Sequence, residues 1–196
     1  MKGDSTDVLD VVIKIGGGLL STIDELDRVL SAVAKLAASR RILIVPGGGP
    51  FADAVREVDR RIGLTADAAH WMAVLAMDQY AQLLASKLDR GVVVVSPLDA
   101  AAALEERRVP VLAPSRWLAD VDPLPHTWDV TSDSIAAWVA GQVGARDLVL
   151  VKPPGAEGNL VDAYFERALP SRIAPTIVPA DQLAAVFDRI VSRAEL

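Results

Sequence analysis

Two stretches near the front of the chain carry residues whose spacing suits chemistry. Lys14 stands in the run Val11-Val12-Ile13-Lys14-Ile15, which breaks into Gly16-Gly17-Gly18, and Ile42-Leu43-Ile44-Val45-Pro46 breaks in the same way into Gly47-Gly48-Gly49. Each reads as a strand, a tight turn and a following helix. Such a turn gathers bare backbone N–H groups and the positive end of a helix dipole, which collects anionic oxygen without side chains. Lys14 adds a full positive charge. A single glycine triplet is explained by the turn itself, because glycine supplies positive φ wherever a chain reverses. Two of them, each ending an early strand, point to two phosphate-bearing groups held side by side.

Further candidates lie downstream. Thr131-Ser132-Asp133-Ser134 opens a helix, with Thr131 or Ser132 as cap and Asp133 in the first turn, where the dipole favours a carboxylate. Lys152 ends a strand from Asp147, which in a parallel sheet would face the same edge as the glycine turns. His70 and Asp78 share a long helix, two turns apart and roughly 80° around it, so one ligand at the sheet edge is within reach of both. His126 and Trp128 close an irregular stretch from Ser115 to Val130, interrupted by Pro123 and Pro125. For His70, Asp78 and His126 an ordinary solvated, capping or backbone-bonded role stays open beside substrate contact. Trp71 and Met77 read as core or as a face between subunits.

These groups need a scaffold, and the pattern supplies one. Helical spacing over 22–39, 52–62, 66–88, 97–107, 135–143 and 180–192 alternates with β-rich runs at 42–45, 92–95, 109–113, 147–152 and 173–178. A short helix is expected near 162–169. Alternation without an Asn-Gly hairpin signal predicts an α/β protein with a parallel sheet covered on both faces.

Bulk properties narrow the partners. The chain has 196 residues, no cysteine and a formal net charge of −6. Disulfides and thiolate metal sites are excluded, and an acidic chain argues against nucleic acid, which is held by clustered Lys and Arg. No apolar run approaches the roughly 20 residues of a membrane span. Met1 to Asp10 is mostly polar and acidic, without the signature of a signal peptide, so a soluble cytoplasmic protein is expected.

In this order, Lys14-Ile15-Gly16-Gly17-Gly18, Pro46-Gly47-Gly48-Gly49 and Thr131-Ser132-Asp133-Ser134 resemble the amino acid kinase family, over about Val11 to Lys152. The resemblance implies a single three-layer α/β/α sandwich with a mainly parallel central sheet, residues 1–196 forming one domain, commonly in a homodimer. It implies transfer of the γ-phosphoryl group of ATP, with Mg²⁺, to a carboxylate or a phosphate. The short length, His70 with Met77-Asp78, Pro114-Ser115, and His126-Thr127-Trp128 resemble a subgroup of methanofuran-type cofactor biosynthesis that converts a phosphomonoester into a diphosphate. Its acceptor carries a primary ammonium on a furan ring, which Trp128 and carboxylates such as Asp78 suit through cation–π and ionic contacts.

Carried over by motif, Lys14 would neutralise the phosphoryl group in flight. Gly16, Gly17 and Gly18, with Thr131 and Ser132, would hold donor phosphate and nucleotide. Gly47, Gly48 and Gly49 would hold the acceptor phosphate, joined by His70, Asp78, His126 and Trp128. Asp133 would orient the lysine and help with Mg²⁺ instead of acting as a base, because a phosphate acceptor is already ionised. The family's Thr-Asp-x-x-Gly nucleotide run is replaced by Val151-Lys152-Pro153-Pro154-Gly155, and the segment 152–196 is short and divergent. A second catalytic lysine usual in relatives is absent after Lys152, leaving Lys152, Arg167 or Arg172 for that role.

Other readings compete. Gly47-Gly48-Gly49-Pro50-Phe51-Ala52 fits the G-x-G-x-x-A dinucleotide pattern but leaves Lys14 and the first triplet unexplained. No glycine precedes the Lys-Ser or Lys-Thr pair of a P-loop. Zinc hydrolysis finds only His70 and His126, without ligand spacing around them. A kinase-fold protein that binds a phosphorylated small molecule without turnover, as a regulator or partner subunit, remains the main alternative.

Overall fold

A computed structural model describes residues 9–158 and 160–193. The polar start read as lacking a signal peptide lies outside them up to residue 8. Six strands, β1 (Val11–Ile15), β2 (Ile42–Pro46), β3 (Gly91–Val94), β4 (Val109–Leu112), β5 (Asp147–Lys152) and β6 (Pro175–Pro179), form one sheet in the order β3-β4-β2-β1-β5-β6. Every pairing is parallel. β1 lies at the centre, between β2 and β5, which is why its side chains are buried throughout.

Eight α-helices cover the sheet among the described residues: α1 (Ile23–Ala37), α2 (Gly49–Ile62), α3 (Ala66–Lys87), α4 (Pro97–Glu105), α5 (Ser115–Val121), α6 (Ser132–Gln142), α7 (Phe165–Ala168) and α8 (Leu183–Arg193). Side chains alternate along a strand, so β1 splits its residues between two cores. Val11, Ile13 and Ile15 pack with Leu26, Val33 and Leu183 of α1 and α8. Val12 faces the other way, with Leu148 and Leu150 of β5 and Ile135 and Ala136 of α6. The expected α/β architecture, with helices on both faces of a parallel sheet, is what forms.

The long third helix begins as its sequence dictates, with the Thr65 hydroxyl accepting from Ala68 N–H at 3.2 Å. Its Tyr80 is fully buried and donates a 3.5 Å hydrogen bond to Gly16 O, tying α3 to the first glycine turn. Burial pushes the Tyr80 phenol well above its ordinary range. Met77 is core, as one of its two readings required.

The stretch 115–130 departs from expectation. Its first part is helical, as α5, because the Asp78 carboxylate accepts from Ser115 N–H at 3.1 Å and from the Ser115 hydroxyl. An acceptor from another element completes that helix start, a contact invisible to local pattern. After β1 the chain also enters a 3-10 turn over Gly17–Ser21 before α1.

Candidate active site

The strand alternation that hides Val12 beneath α6 also turns Lys14 and Lys152 to that face. Lys14 lies opposite Leu150 in the register of β1 and β5, so Lys152 stands two residues further along the neighbouring strand. Asp133, in the first turn of α6, drops between them. Its Oδ1 is 2.8 Å from Lys14 Nζ and 3.0 Å from Lys152 Nζ, and its Oδ2 is 2.8 Å from Lys152 Nζ. Side-chain exposures are 6% for Lys14, 8% for Asp133 and 13% for Lys152. Two ammonium groups share one carboxylate, leaving a positive charge in excess.

Burial pushes the Asp133 carboxyl up, but Lys14 and Lys152 outweigh it and hold the group below the ordinary carboxylate range. Burial and then Lys14 push Lys152 below the ordinary lysine range, against the opposing pull of Asp133 and Asp162. Of the three candidates for a second cation, Lys152 stands in the cluster. Arg172 instead donates to Ala145 O and Gly141 O, and Arg167 stacks on Tyr164.

The two glycine turns touch. A Cβ on Gly17 would stand 2.1 Å from Gly49 N, and one on Gly47 would stand 2.6 Å from Gly17 N, so only glycine admits this approach. The six amides are not equivalent, however. Gly16 N–H donates to Val151 O at 3.0 Å and Gly47 N–H to Ile15 O at 2.8 Å, extending the sheet ladder. Those two are removed from the expected phosphate cradle. The N–H groups of Gly17, Gly18, Gly48 and Gly49 have no acceptor among the described residues and stand at the starts of the 3-10 turn and α2.

Above these amides opens a cavity of about 440 Å³, walled by α2, α3 and the segment 126–132. Gly17, Gly18, Gly48 and Gly49 form part of its lining with His70, His126, Trp128, Thr131 and Ser132. Asp78, expected with them, is instead engaged with Ser115 and does not line the cavity. Thr131 reaches the wall, but its N–H and hydroxyl are donated to Asp162 at 2.9 and 2.7 Å, so neither is open to phosphate.

Several residues that the sequence reading passed over hold side chains of the cavity lining. Trp128 Nε1 donates to Asp59 at 2.8 Å, and Arg56 lies 5.0 Å over the Trp128 ring. His126 meets Asp67 through Nδ1 at 2.7 Å and Asp122 through Nε2 at 2.8 Å. These carboxylates raise the His126 pKa, Asp67 most, while burial and the neighbouring His126 lower that of His70. The spacing Asp122-x-x-x-His126 was the one local hint of this group; the Asp67–His126 contact joins segments 59 residues apart and left no local signal.

His70, Asp122 and His126 bring ligand atoms within 4.8 Å of one another. The imidazoles are stacked, with centroids 4.0 Å apart and planes at 15°. In-plane lone pairs of stacked rings run side by side instead of converging, and both His126 nitrogens already face carboxylates. The cluster is built as a charge pair, not as a metal cage.

A model of the amino acid kinase family matches residues 11–153, the stretch that contains both glycine turns and all three charged residues. The chain belongs to the amino acid kinase family. It is 28% identical over 141 residues to the [5-(aminomethyl)furan-3-yl]methyl phosphate kinase of Methanocaldococcus jannaschii, covering 71% of this chain and 63% of that protein. Kinases of the same fold include the uridylate kinase of Archaeoglobus fulgidus, with a TM-score of 0.69 at 15% identity over 92% of this chain and 96% of that one. The UMP kinase of Ureaplasma parvum gives 0.66 at 17% identity, over 92% and 95% of the two chains.

Proposed function

We propose that this chain transfers the γ-phosphoryl group of ATP to a small phosphomonoester, giving a diphosphate, in methanofuran-type cofactor biosynthesis. The carrying observation is that the Gly17, Gly18, Gly48 and Gly49 amides, without an acceptor among the described residues, belong to turns whose first residue, Gly16, stands beside Lys14, a Cβ there lying 3.9 Å from its Nζ, in a buried cluster of two ammonium groups and one carboxylate. The likeness to the M. jannaschii kinase supports [5-(aminomethyl)furan-3-yl]methyl phosphate as acceptor. In the proposed arrangement its phosphate rests on Gly48 and Gly49, and its ring and ammonium extend toward Trp128 and Asp59.

An acceptor phosphate oxygen attacks the γ-phosphorus, the bond from that phosphorus to the β–γ bridging oxygen breaks, and ADP leaves. No base is needed, since the attacking oxygen is already ionised. Lys14 and Lys152 neutralise charge on the transferred group, while Gly17 and Gly18 N–H groups hold its oxygens in line. Asp133 keeps the two ammonium groups apart and correctly aimed.

Mg²⁺ would accompany the nucleotide and spread the charge of its phosphates. Asp133 already carries both ammonium groups and Asp162 carries the start of α6, so neither carboxylate is open to the ion. The donor set therefore favours a metal held by phosphate oxygens over one held by the chain.

The same reading takes the chain as one domain whose nucleotide side, 152–196, is shortened. It also takes the protein as a cytoplasmic homodimer, with Met72 and Leu75 of α3 as exposed apolar side chains available for pairing. No described helix is long and apolar enough to cross a membrane.

The test is ³¹P NMR of the protein with ATP, Mg²⁺ and the furanylmethyl phosphate. New diphosphate resonances with ADP formation are expected. Absence of both, together with no heat on titrating ATP·Mg²⁺, would favour a binding protein without turnover, a reading that the replaced Thr-Asp-x-x-Gly run supports.

A further inference from the structure

Asp162 stands beyond the stretch 11–153 that the family model matches, yet its carboxylate is the most heavily bonded acceptor near the site. Oδ2 accepts from Thr131 N–H at 2.9 Å, the Thr131 hydroxyl at 2.7 Å and Ser134 N–H at 3.0 Å. Oδ1 accepts from Tyr164 N–H at 3.2 Å and from the hydroxyl of Ser134, which is fully buried. The start of α6 thus has two backbone donors, Thr131 and Ser134 N–H, satisfied by a residue brought in from after β5.

We infer that Asp162 is a positioning residue for phosphoryl transfer, acting through the start of α6 on Asp133 and, through Asp133, on Lys14 and Lys152. The inference rests on the phosphoryl-transfer reading of the site. Thr131 gives its hydroxyl proton to Asp162, which leaves its oxygen lone pair to receive Asp133 N–H, 3.5 Å away. Asp133 sits between the two donors that Asp162 grips, Thr131 and Ser134, so the carboxylate pins the backbone on both sides of it. The Ser134 side chain is fully buried, with its hydroxyl donated to Asp162. A family site that depends on placement and charge is sensitive to such a tie, because a small displacement of the counter-charge misaims both ammonium groups.

Asp162, outside the three-residue cluster, also acts on its charge. The charged groups that act on Lys152 are Lys14 from β1, Asp133 from α6 and Asp162 from the segment after β5. Asp162 favours the charged form, so its removal makes the Lys152 ammonium easier to deprotonate. That titration reports the Asp162 charge at the cluster, while amide exchange reports its hold on the start of α6.

Asp162→Asn keeps the shape while removing the charge and half of the acceptor capacity. Expected results are exchange of the Thr131, Asp133 and Ser134 amides faster by at least about tenfold, kcat lower by roughly 10–100-fold, and acceptor KM within about twofold of wild type. NMR titration of the Lys152 ammonium should move to lower pH. Wild-type exchange and kcat in this variant would overturn the inference. If Asp162→Asn does not fold, Ser134→Ala removes one hydroxyl donor only, and should produce smaller changes of the same sign. Wild-type exchange and kcat in a folded Ser134→Ala protein would overturn it equally. Exchange and titration need no turnover. A wild-type protein without kinase activity therefore defeats the phosphoryl-transfer reading, whereas wild-type kcat in Asp162→Asn defeats this inference alone.

Discussion

Lys152 grips Asp133 through both carboxylate oxygens, at 3.0 Å to Oδ1 and 2.8 Å to Oδ2, while Oδ1 also meets Lys14 at 2.8 Å. The carboxylate is thus a spacer between two like charges drawn from adjacent strands. Removing any one member changes the other two, and the three residues should behave as a unit in mutational cycles.

Lys14→Ala leaves the Lys152–Asp133 pair, which is electrically neutral, and removes the excess positive charge next to Gly16. Turnover should fall by about 10²–10³-fold, the range for losing one preorganised charge-stabilising group, with far-UV circular dichroism unchanged. Comparable kcat in the variant and wild type would remove Lys14 from the mechanism.

Asp133→Asn leaves two nearly buried ammonium groups without a counter-charge. The expected loss is about 3–5 kcal/mol in urea unfolding, the range for breaking a buried ion pair. The wild-type Asp133 pKa lies below 3.8, so its stabilisation is present above that pH and is lost as pH falls through the depressed value. The variant should therefore show a flatter acid limb. A destabilisation within experimental error at neutral pH would contradict the assignment.

Lys152 titrates below the 10.5 of a free lysine, first because it is buried and then because Lys14 repels its charge. Its proton is therefore bound more weakly folded than unfolded, and stability should rise with pH between the depressed value and 10.5. Activity moves the other way. The alkaline loss of kcat should have its midpoint below 10.5, and Lys152→Arg should displace that limb to higher pH while lowering kcat. An unchanged limb in the arginine variant would exclude Lys152 as its source.

The touching glycine turns give a contrast between two substitutions. Gly17→Ala would place its Cβ 2.1 Å from Gly49 N, a backbone atom that cannot step aside, so the turns must part. Gly144→Ala meets nothing within 4 Å and bears only the strain of φ +67. Expected losses are about 3 kcal/mol or more for the first and about 1–2 for the second, by thermal or urea unfolding. The reverse ranking would mean that the turns do not abut.

Continuous apolar runs alternating with helical spacing revealed the fold, because a parallel sheet under two helical layers buries both faces of its strands. Lys14 and Asp133 were legible for the same reason, since a lysine inside a buried strand and a carboxylate at a capped helix start are both exceptional. What escaped were contacts between distant segments. Asp162 looks like any polar residue before a short helix, and only folding brings it to α6. Asp78 seemed free to meet a ligand because nothing local marks Ser115 as its partner. Pro123 and Pro125 hid α5 by making the whole stretch from Ser115 look irregular.

His126 and His70 should separate on titration. The hydrogen bond from Asp67, aided by Asp122, raises the His126 pKa above 6.5, and burial with the adjacent His126 charge lowers that of His70. Between the two values the stacked pair is one imidazolium and one neutral ring, with the cation on the cavity wall. Any stability from the His126 ion pairs is full below 6.5 and is lost as pH rises through the raised folded value. If the imidazolium attracts the acceptor dianion, acceptor KM should rise over that same interval with kcat little changed. Asp67→Asn removes the principal cause of the shift and should move both the His126 NMR titration and the KM rise to lower pH. Two histidines titrating together near 6.5 would show that the carboxylates do not hold His126 charged, and the KM dependence should then vanish with them.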